Sequence, residues 1–392
     1  MDTKAEILLS NIAKALKSKA ESDIRNQKFE RLGLLDGAFG VSLFLSRYQK
    51  YAGSQTFSRL HDDYLNLCLE YLSNGFTYPT YCSGLSGILY MLRREYGESI
   101  DISEAEQVYD DILKRNLDYY LADDNWDVLH GALGIGYYYL LRGDCPLVHD
   151  TIVNYLENKA ESDGRDGFRI KSVIEYKTKE RGYNIALSHG MSGIIIYLSG
   201  LYRKYHQAKV RKLLDGFVNY VLRQRIDFAQ YGSHFPIRTK EDNMRSRLAW
   251  CYGDLGICCA LYQAANVTDD TSLRQCVAAM MVDNSHRYEL SSNSVYDSCI
   301  CHGTSGIALI FDEFNKAIPN VQYREAVEYW TDQTVRMATF EDGIAGIKVF
   351  NPMENVFRNE YDLLEGVTGV GLSLMSTLYG ESWADVLLIN LD

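Results

Sequence analysis

The amino-acid sequence predicts an all-α protein, an α/α toroid built from seven pairs of helices. Three observations lead to this prediction. A Gly-x-x-Gly element recurs seven times, each copy is followed at once by valine or isoleucine, and an amphipathic stretch precedes every copy. The first glycines of successive copies are 47 to 63 residues apart. This is the spacing of a repeated supersecondary unit.

The glycine-marked copies predict seven inner helices. Their first glycines are Gly37, Gly84, Gly131, Gly190, Gly253, Gly303 and Gly366. The runs that follow, such as 194–198 and 307–311, are apolar on every face at their start. A helix of this kind is buried on all sides, so these helices belong in the interior.

The amphipathic stretches predict seven outer helices. They cover approximately 5–18, 57–73, 104–121, 146–158, 207–224, 271–287 and 321–339. In the second, Leu60, Tyr64 and Leu67 follow the spacing of one helical face, with acidic residues on the other faces. All five prolines fall between helical runs or at their edges, and none interrupts an inner helix. Because outer and inner helices alternate along the chain, the inner helices would run parallel, with all their N-termini at one end.

Length and composition limit the classes of protein. Repeats along all 392 residues predict one domain, 1–392. A net charge of −12 without a basic stripe speaks against binding nucleic acid. No apolar run approaches the roughly 18 residues of a membrane span. Nine cysteines, an odd number, are typical of a reducing cytoplasm with thiols available to a metal.

The residue before each first glycine is polar in every copy. The seven are Asp36, Ser83, His130, His189, Tyr252, His302 and Glu365. If the copies are equivalent, these side chains meet at one mouth. One position earlier, the fifth and sixth copies carry Cys251 and Cys301, so we expect both thiols to lie beside His302.

Two thiolates and one imidazole are suitable ligands for one zinc ion per chain. Three protein ligands leave the fourth tetrahedral position open, as in catalytic sites. Zinc with two thiolates is formally neutral, so a bound substrate thiolate would keep nucleophilic character at neutral pH. Cys299 and Cys82 are alternative ligands for the same ion.

Three motifs resemble those of the lanthionine synthetase C family, the lanthipeptide cyclases. They are Ser188-His189-Gly190, Trp250-Cys251-Tyr252-Gly253 and Cys301-His302-Gly303. The resemblance runs from Gly37 to Gly369 and implies an α/α toroid with zinc held by Cys251, Cys301 and His302. It also implies a cytoplasmic enzyme that adds peptide cysteine thiols to dehydroalanine or dehydrobutyrine, forming thioether rings.

The resemblance further implies catalytic roles for four residues. His189 matches the family's acid/base histidine, Asp127 its aspartate, Arg247 its arginine and Tyr252 its tyrosine. Asp127 would orient His189 or Arg247, Arg247 would stabilise an enolate, and Tyr252 would hold the substrate. Other interpretations stay open at this point: Asp127 as a helix N-cap, Arg247 as a surface ion-pair residue, and His130 as a second acid.

The implied partners are a dehydrated precursor peptide with its leader, a separate dehydratase and a peptide exporter. Through such partners the protein would lie at the inner face of the membrane. The alternative functions are a non-catalytic zinc- or glutathione-binding scaffold of the same family and a zinc prenyltransferase-like enzyme. A glycosidase with paired carboxylates, drawn from Asp36, Asp127 and Glu365, is less consistent with the cysteine pair.

Overall fold

The computed structural model describes residues 2–52, 55–97, 102–175, 178–240, 245–352 and 354–392. These residues fall into two compact units. The terminal unit comprises residues 1–78, 82–91 and 288–387, and the central unit comprises 79–81, 92–287 and 388–392. The prediction of a single domain over 1–392 stays a prediction. Within the described ranges, no helix is both long enough and apolar enough to cross a membrane.

Helices make up most of the described chain. In chain order they are α1 (Asp2–Asn26), α2 (Ala38–Ala52), α3 (Gln55–Ser73), α4 (Leu85–Tyr96), α5 (Ser103–Gln107), α6 (Asp110–Ala122), α7 (Ala132–Arg142), α8 (Pro146–Lys159), α9 (Met191–Tyr205), α10 (Ala208–Arg223), α11 (Phe228–Tyr231), α12 (Asp254–Val267), α13 (Thr271–Ser285), α14 (Thr304–Ala317), α15 (Val321–Met337) and α16 (Val367–Tyr379). Short 3₁₀ turns occupy Ser291–Asn293 and Ala384–Leu387.

The predicted pairing of buried and half-buried helices is present. Seven helices begin one residue after a first glycine, namely α2, α4, α7, α9, α12, α14 and α16. In α9 every residue from Met191 to Ser199 is buried, and in α12 the same holds from Asp254 to Ala265. The preceding helices bury one face, as α3 and α10 illustrate. The third outer helix differs from the prediction because it is divided into α5 and α6.

The loops before the inner helices share one backbone closure. In six copies the N–H group after the first glycine donates to the carbonyl seven residues earlier. The bonds join Ala38 to Arg31, Leu85 to Tyr78, Ala132 to Asn125, Met191 to Asn184, Thr304 to Asp297 and Val367 to Glu360. A Cβ atom on Gly131 would lie 2.6 Å from the Asn125 carbonyl oxygen. Such a close approach of backbone to backbone explains why glycine recurs.

Two of the second glycines, Gly40 and Gly134, lie close to a neighbouring copy as well as to a carbonyl oxygen of their own loop. In the central unit a Cβ atom on Gly134 would lie 2.7 Å from the Cβ atom of Tyr81. In the terminal unit a Cβ atom on Gly40 would lie 3.0 Å from the Cβ atom of Leu363. The latter contact joins the first copy to the seventh, so the last repeat packs against the first.

Backbone hydrogen bonds also connect equivalent positions of consecutive copies. In the terminal unit they run from Cys301 N to Leu364 O, from Leu364 N to Leu35 O and from Leu35 N to Cys82 O, at 2.8–3.0 Å. In the central unit Ser188 N donates to Cys251 O at 3.4 Å. The register read from the sequence therefore corresponds to real neighbours within each unit.

Within the described residues, three short antiparallel hairpins occupy connections for which the sequence predicted no strands. They are β1 (Glu161–Ser162) with β2 (Phe168–Arg169), β3 (Lys171–Glu175) with β4 (Glu180–Tyr183), and β5 (Val349–Asn351) with β6 (Val356–Arg358). Strands of two to five residues are too short to show a clear alternation of apolar and polar residues.

Candidate active site

A histidine–carboxylate pair lies at the starts of two inner helices of the central unit. Nδ1 of His189, before α9, is 2.6 Å from Oδ2 of Asp127, before α7. The other carboxylate oxygen accepts the N–H groups of Leu129 at 2.7 Å and His130 at 2.8 Å. Asp127 is thus held by its own loop while it orients the imidazole of His189.

Asp127 is not the N-cap of α7. That position belongs to Gly131, and no side chain caps the helix there. The carboxylate instead closes a turn inside the loop and reaches across to the next copy.

The electrostatics of the pair favour imidazolium and carboxylate. Burial lowers the pKa of His189, but the charge and hydrogen bond of Asp127 outweigh burial and leave this pKa raised. Burial raises the pKa of Asp127, but His189 outweighs it and leaves that pKa lowered. The two directions are consistent with one ion pair. His189 can therefore carry a proton at neutral pH and give it up to a substrate.

Two further rings flank His189. The imidazole of His130 stacks on it with centroids 5.8 Å apart and an interplanar angle of 16°. The Tyr252 ring lies 6.0 Å away at 44°. Burial raises the pKa of Tyr252 to about 12, so its phenol remains protonated and able to donate a hydrogen bond. The predicted residues Asp127, His189 and Tyr252 are thus brought together, with His130 beside them.

Asn184, which the sequence motifs did not identify, connects His189 to Tyr252. Its Nδ2 atom donates to the His189 carbonyl at 3.3 Å and to the Tyr252 hydroxyl at 3.2 Å. Its Oδ1 atom accepts the N–H of Ala186 at 2.9 Å. Asn184 stands six residues before a first glycine, as do Asn125 and Asp297. That recurrence was a signal available in the sequence.

Arg247 occupies the same position of the fifth copy and is half buried. It makes no hydrogen bond or ion pair with the part of the chain that the structure describes. The structure thus does not join its guanidinium to Asp127 or His189. The alternative of a surface ion pair also lacks a partner within those ranges.

A buried ion pair holds the loop that carries Arg247. The fully buried Asp254 accepts the N–H groups of His234 at 2.7 Å and Phe235 at 3.0 Å. It also receives Nη1 of Arg287 at 3.1 Å, and the other guanidinium nitrogen donates to the carbonyl of Ser246 at 2.8 Å. Because α12 begins at Asp254, these bonds fix the loop to the start of that helix.

The predicted metal ligands are divided between the units. Cys251 belongs to the central unit, where its thiol is buried and its carbonyl accepts the hydroxyl of Ser188 at 3.4 Å. Cys301 and His302 belong to the terminal unit, where their ligand atoms lie within 4.8 Å of each other. Both side chains are buried.

The terminal unit places further potential ligands beside His302. Asp297, Cys299 and His302 have ligand atoms within 4.8 Å of one another and could hold a metal ion. However, the Asp297 oxygens accept the N–H groups of Cys299 at 2.9 Å and Phe350 at 2.8 Å. Oδ2 lies 3.7 Å from Nε2 of His302. A carboxylate held in this way is suited to orienting an imidazole ligand.

The two alternative thiols lie in environments that favour the neutral form. Burial, followed by the charge of Asp297, raises the pKa of Cys299 to about 12. Burial and then Asp36 raise the pKa of Cys82 still further. Both environments oppose the thiolate form that a metal ligand requires.

Fold and site together define a helical repeat protein with polar groups gathered at the starts of its inner helices. Residues 28–388 match the family described as lanthionine synthetase C-like protein, and the chain belongs to that family. The resemblance found in the sequence is therefore confirmed.

Two relatives agree with this assignment. The chain is 23% identical to the nisin biosynthesis protein NisC of Lactococcus lactis subsp. lactis over 356 residues, covering 81% of this chain and 82% of NisC. A solved structure of nisin cyclase matches with a TM-score of 0.74 and 21% identity over 97% of each chain. This match confirms the α/α-toroid fold class.

Proposed function

We propose that this protein is a zinc-dependent lanthipeptide cyclase. It would add peptide cysteine thiols to dehydroalanine or dehydrobutyrine and so form lanthionine or methyllanthionine rings in a ribosomally made precursor. The family membership and the likeness to nisin cyclase support the reaction class. The observation that carries the proposal is the His189–Asp127 pair, a proton donor and acceptor held at the starts of inner helices.

We propose that Cys251, Cys301 and His302 bind the zinc ion. The donor set is suitable, and three ligands leave one position for a substrate thiol. The two cysteines are equivalent residues of consecutive copies. Hydrogen bonds between equivalent positions of other consecutive copies support their proximity. When bound, zinc would keep a substrate thiol deprotonated at neutral pH.

His189 moves the proton in this proposal. The incoming thiol releases its proton to water, and the thiolate sulfur then bonds to the β-carbon of the dehydro residue. The electron pair of the carbon–carbon double bond moves toward the neighbouring carbonyl oxygen, giving an enolate. The imidazolium of His189 donates its proton to the α-carbon and recovers one from water, so the addition is balanced overall.

The other residues position His189 and stabilise the enolate. Asp127 keeps the His189 imidazole in place and favours its charged form. The protonated phenol of Tyr252 and the guanidinium of Arg247 are donors suited to the enolate oxygen. A dehydratase and a peptide exporter are proposed partners, since dehydro residues must be made before this step and the product must leave afterwards.

The test combines metal content with ring formation. Purified wild-type protein should contain about one zinc per chain by elemental analysis, and Cys301→Ala almost none. His189→Ala should keep its zinc but lose ring formation, measured by the disappearance of free thiol in a dehydrated peptide. His286→Ala is the matched control because this histidine is exposed. Wild-type protein that folds without zinc, or His189→Ala that cyclises at the wild-type rate, would refute the proposal.

A further inference from the structure

A cavity of about 400 Å³ adjoins the His189–Asp127 pair in the central unit. One wall is the loop 123–127 together with His130, and the other is the β3–β4 hairpin, through Ser172, Val173, Lys179 and Arg181. Asp127 and His130 line the cavity themselves. Any ligand in this cavity therefore lies next to Asp127, the partner of His189.

The two walls are joined by fixed hydrogen bonds. The indole N–H of Trp126 donates to the Lys171 carbonyl at 3.0 Å. Arg181 donates to the same carbonyl at 3.2 Å and to that of Asp124 at 3.0 Å. These contacts hold the hairpin against the loop, so the cavity is preformed.

Three charged groups of the lining, Asp124, Asp127 and Arg181, already have partners in the protein. Asp124 pairs with Lys159 at 2.8 Å and accepts the Tyr155 hydroxyl at 3.0 Å. Burial raises the pKa of Asp124, but these partners outweigh it and leave the pKa lowered. Lysine, arginine and aspartate occur together in the lining, so no single sign of charge dominates. The cavity is thus poorly suited to a phosphate or another strongly charged ligand.

Ser172 differs from the rest of the lining. The residue is only 9% exposed, and its hydroxyl has no hydrogen-bond partner among the described residues. A buried polar group without a partner is costly, and ligand-binding sites are one place where such groups occur. The hydroxyl can both donate and accept, as recognition of a peptide backbone requires.

We propose that this cavity binds a short extended segment of the substrate peptide next to the reacting dehydro residue, with Ser172 hydrogen-bonded to its main chain. Main-chain recognition would allow one site to serve rings with different flanking side chains. The volume lies within the roughly 300–1,000 Å³ of ligand pockets. This inference rests on the proposed cyclase function and adds a substrate subsite to it.

The test measures binding separately from ring formation. The probe is a fluorescent synthetic peptide with one dehydroalanine and serine in place of the cysteine, so that it binds but cannot react. Its Kd is measured by anisotropy, and KM and kcat are measured with the corresponding cysteine peptide. Ser172→Ala should raise Kd and KM about 2- to 10-fold at unchanged kcat, the effect of one hydrogen bond. Ser172→Leu, which replaces the hydroxyl by a larger apolar group in the cavity lining, should raise both further.

The matched control is Ser199→Ala, which removes another buried hydroxyl without a partner, on α9 and outside the cavity lining. Equal Kd values for Ser172→Ala and Ser199→Ala would overturn the inference, as would binding by Ser172→Leu within twofold of wild type. If wild type binds the probe, depends on Ser172 and yet closes no ring, the subsite stands and the cyclase function fails. If wild type closes rings and Ser172 has no effect, only the subsite fails.

Discussion

Asp127→Asn tests whether the carboxylate acts by charging His189. The amide oxygen can still accept the N–H groups of Leu129 and His130, so the loop should keep its shape. What is lost is the negative charge 2.6 Å from Nδ1 of His189. A hydrogen bond to a charged group contributes about 1.5–3 kcal/mol, so kcat/KM for ring closure should fall about 10- to 150-fold.

The pH profile separates this explanation from simple damage. His189 must be protonated to deliver a proton, so wild-type activity should fall as pH rises through its raised pKa, above the ordinary 6.5. In Asp127→Asn the largest remaining influence is burial, which lowers the pKa, so the alkaline limb should move to lower pH. Asp118→Asn is the control because Asp118 is exposed on α6. An alkaline limb that stays in place, or a loss of activity below threefold, would refute the reasoning.

The same pair predicts how stability depends on pH. The raised pKa of His189 gives stability that is complete below 6.5 and is lost as pH rises through the folded pKa. The lowered pKa of Asp127 gives stability that is present above 3.8 and is lost as pH falls through its folded pKa. Wild type should therefore exceed Asp127→Asn in melting temperature most clearly between about pH 4 and 6.5. A difference that is constant from pH 4 to 9 would contradict this.

Two further substitutions test contacts that stabilise the fold. Arg287→Met leaves the Asp254 carboxylate buried without its partner and should lower the free energy of unfolding by about 3–5 kcal/mol in urea titrations; a loss below 1 kcal/mol would show that Asp254 does not depend on Arg287. Gly134→Ala places a Cβ atom in closest contact with the Val128 carbonyl oxygen and 2.7 Å from the Cβ atom of Tyr81, and should cost about 1–3 kcal/mol. Its control, Gly164→Ala, meets no atom within 4 Å and carries only the cost of its positive φ. Equal melting temperatures for the two alanine variants would refute the packing role of Gly134.

The features of this protein that could be predicted from sequence are those that recur in successive copies for the same local physical reason. Gly131 and Gly303 mark inner helices because a side chain there would collide with the backbone of its own loop. The pairing of His189 with Asp127 could not be obtained in this way, since 62 residues separate them and only the family resemblance connected them. The position of Asn184 recurs in the sequence, but its role follows only from its two partners in the structure.

The burial of Ser172 could not be predicted from the sequence, for a different reason. A serine in a charged connection is ordinarily exposed, but Ser172 lies on β3 of the β3–β4 hairpin and is buried there. That hairpin is too short to leave a pattern in the sequence. The division of the third outer helix into α5 and α6 likewise follows from packing that a helical period does not encode.

The packing of the seventh copy against the first has a consequence for synthesis of the chain. Arg31 and Glu360, whose ion pair spans this contact at 3.0 Å, are 329 residues apart. The first inner helix therefore emerges from the ribosome long before the segment that covers it. Contacts of such sequence separation form slowly, because a long loop must close first. Until the segment around Glu360 has been synthesised, the apolar surface around Gly40 and Val41 lacks this cover and is exposed to aggregation.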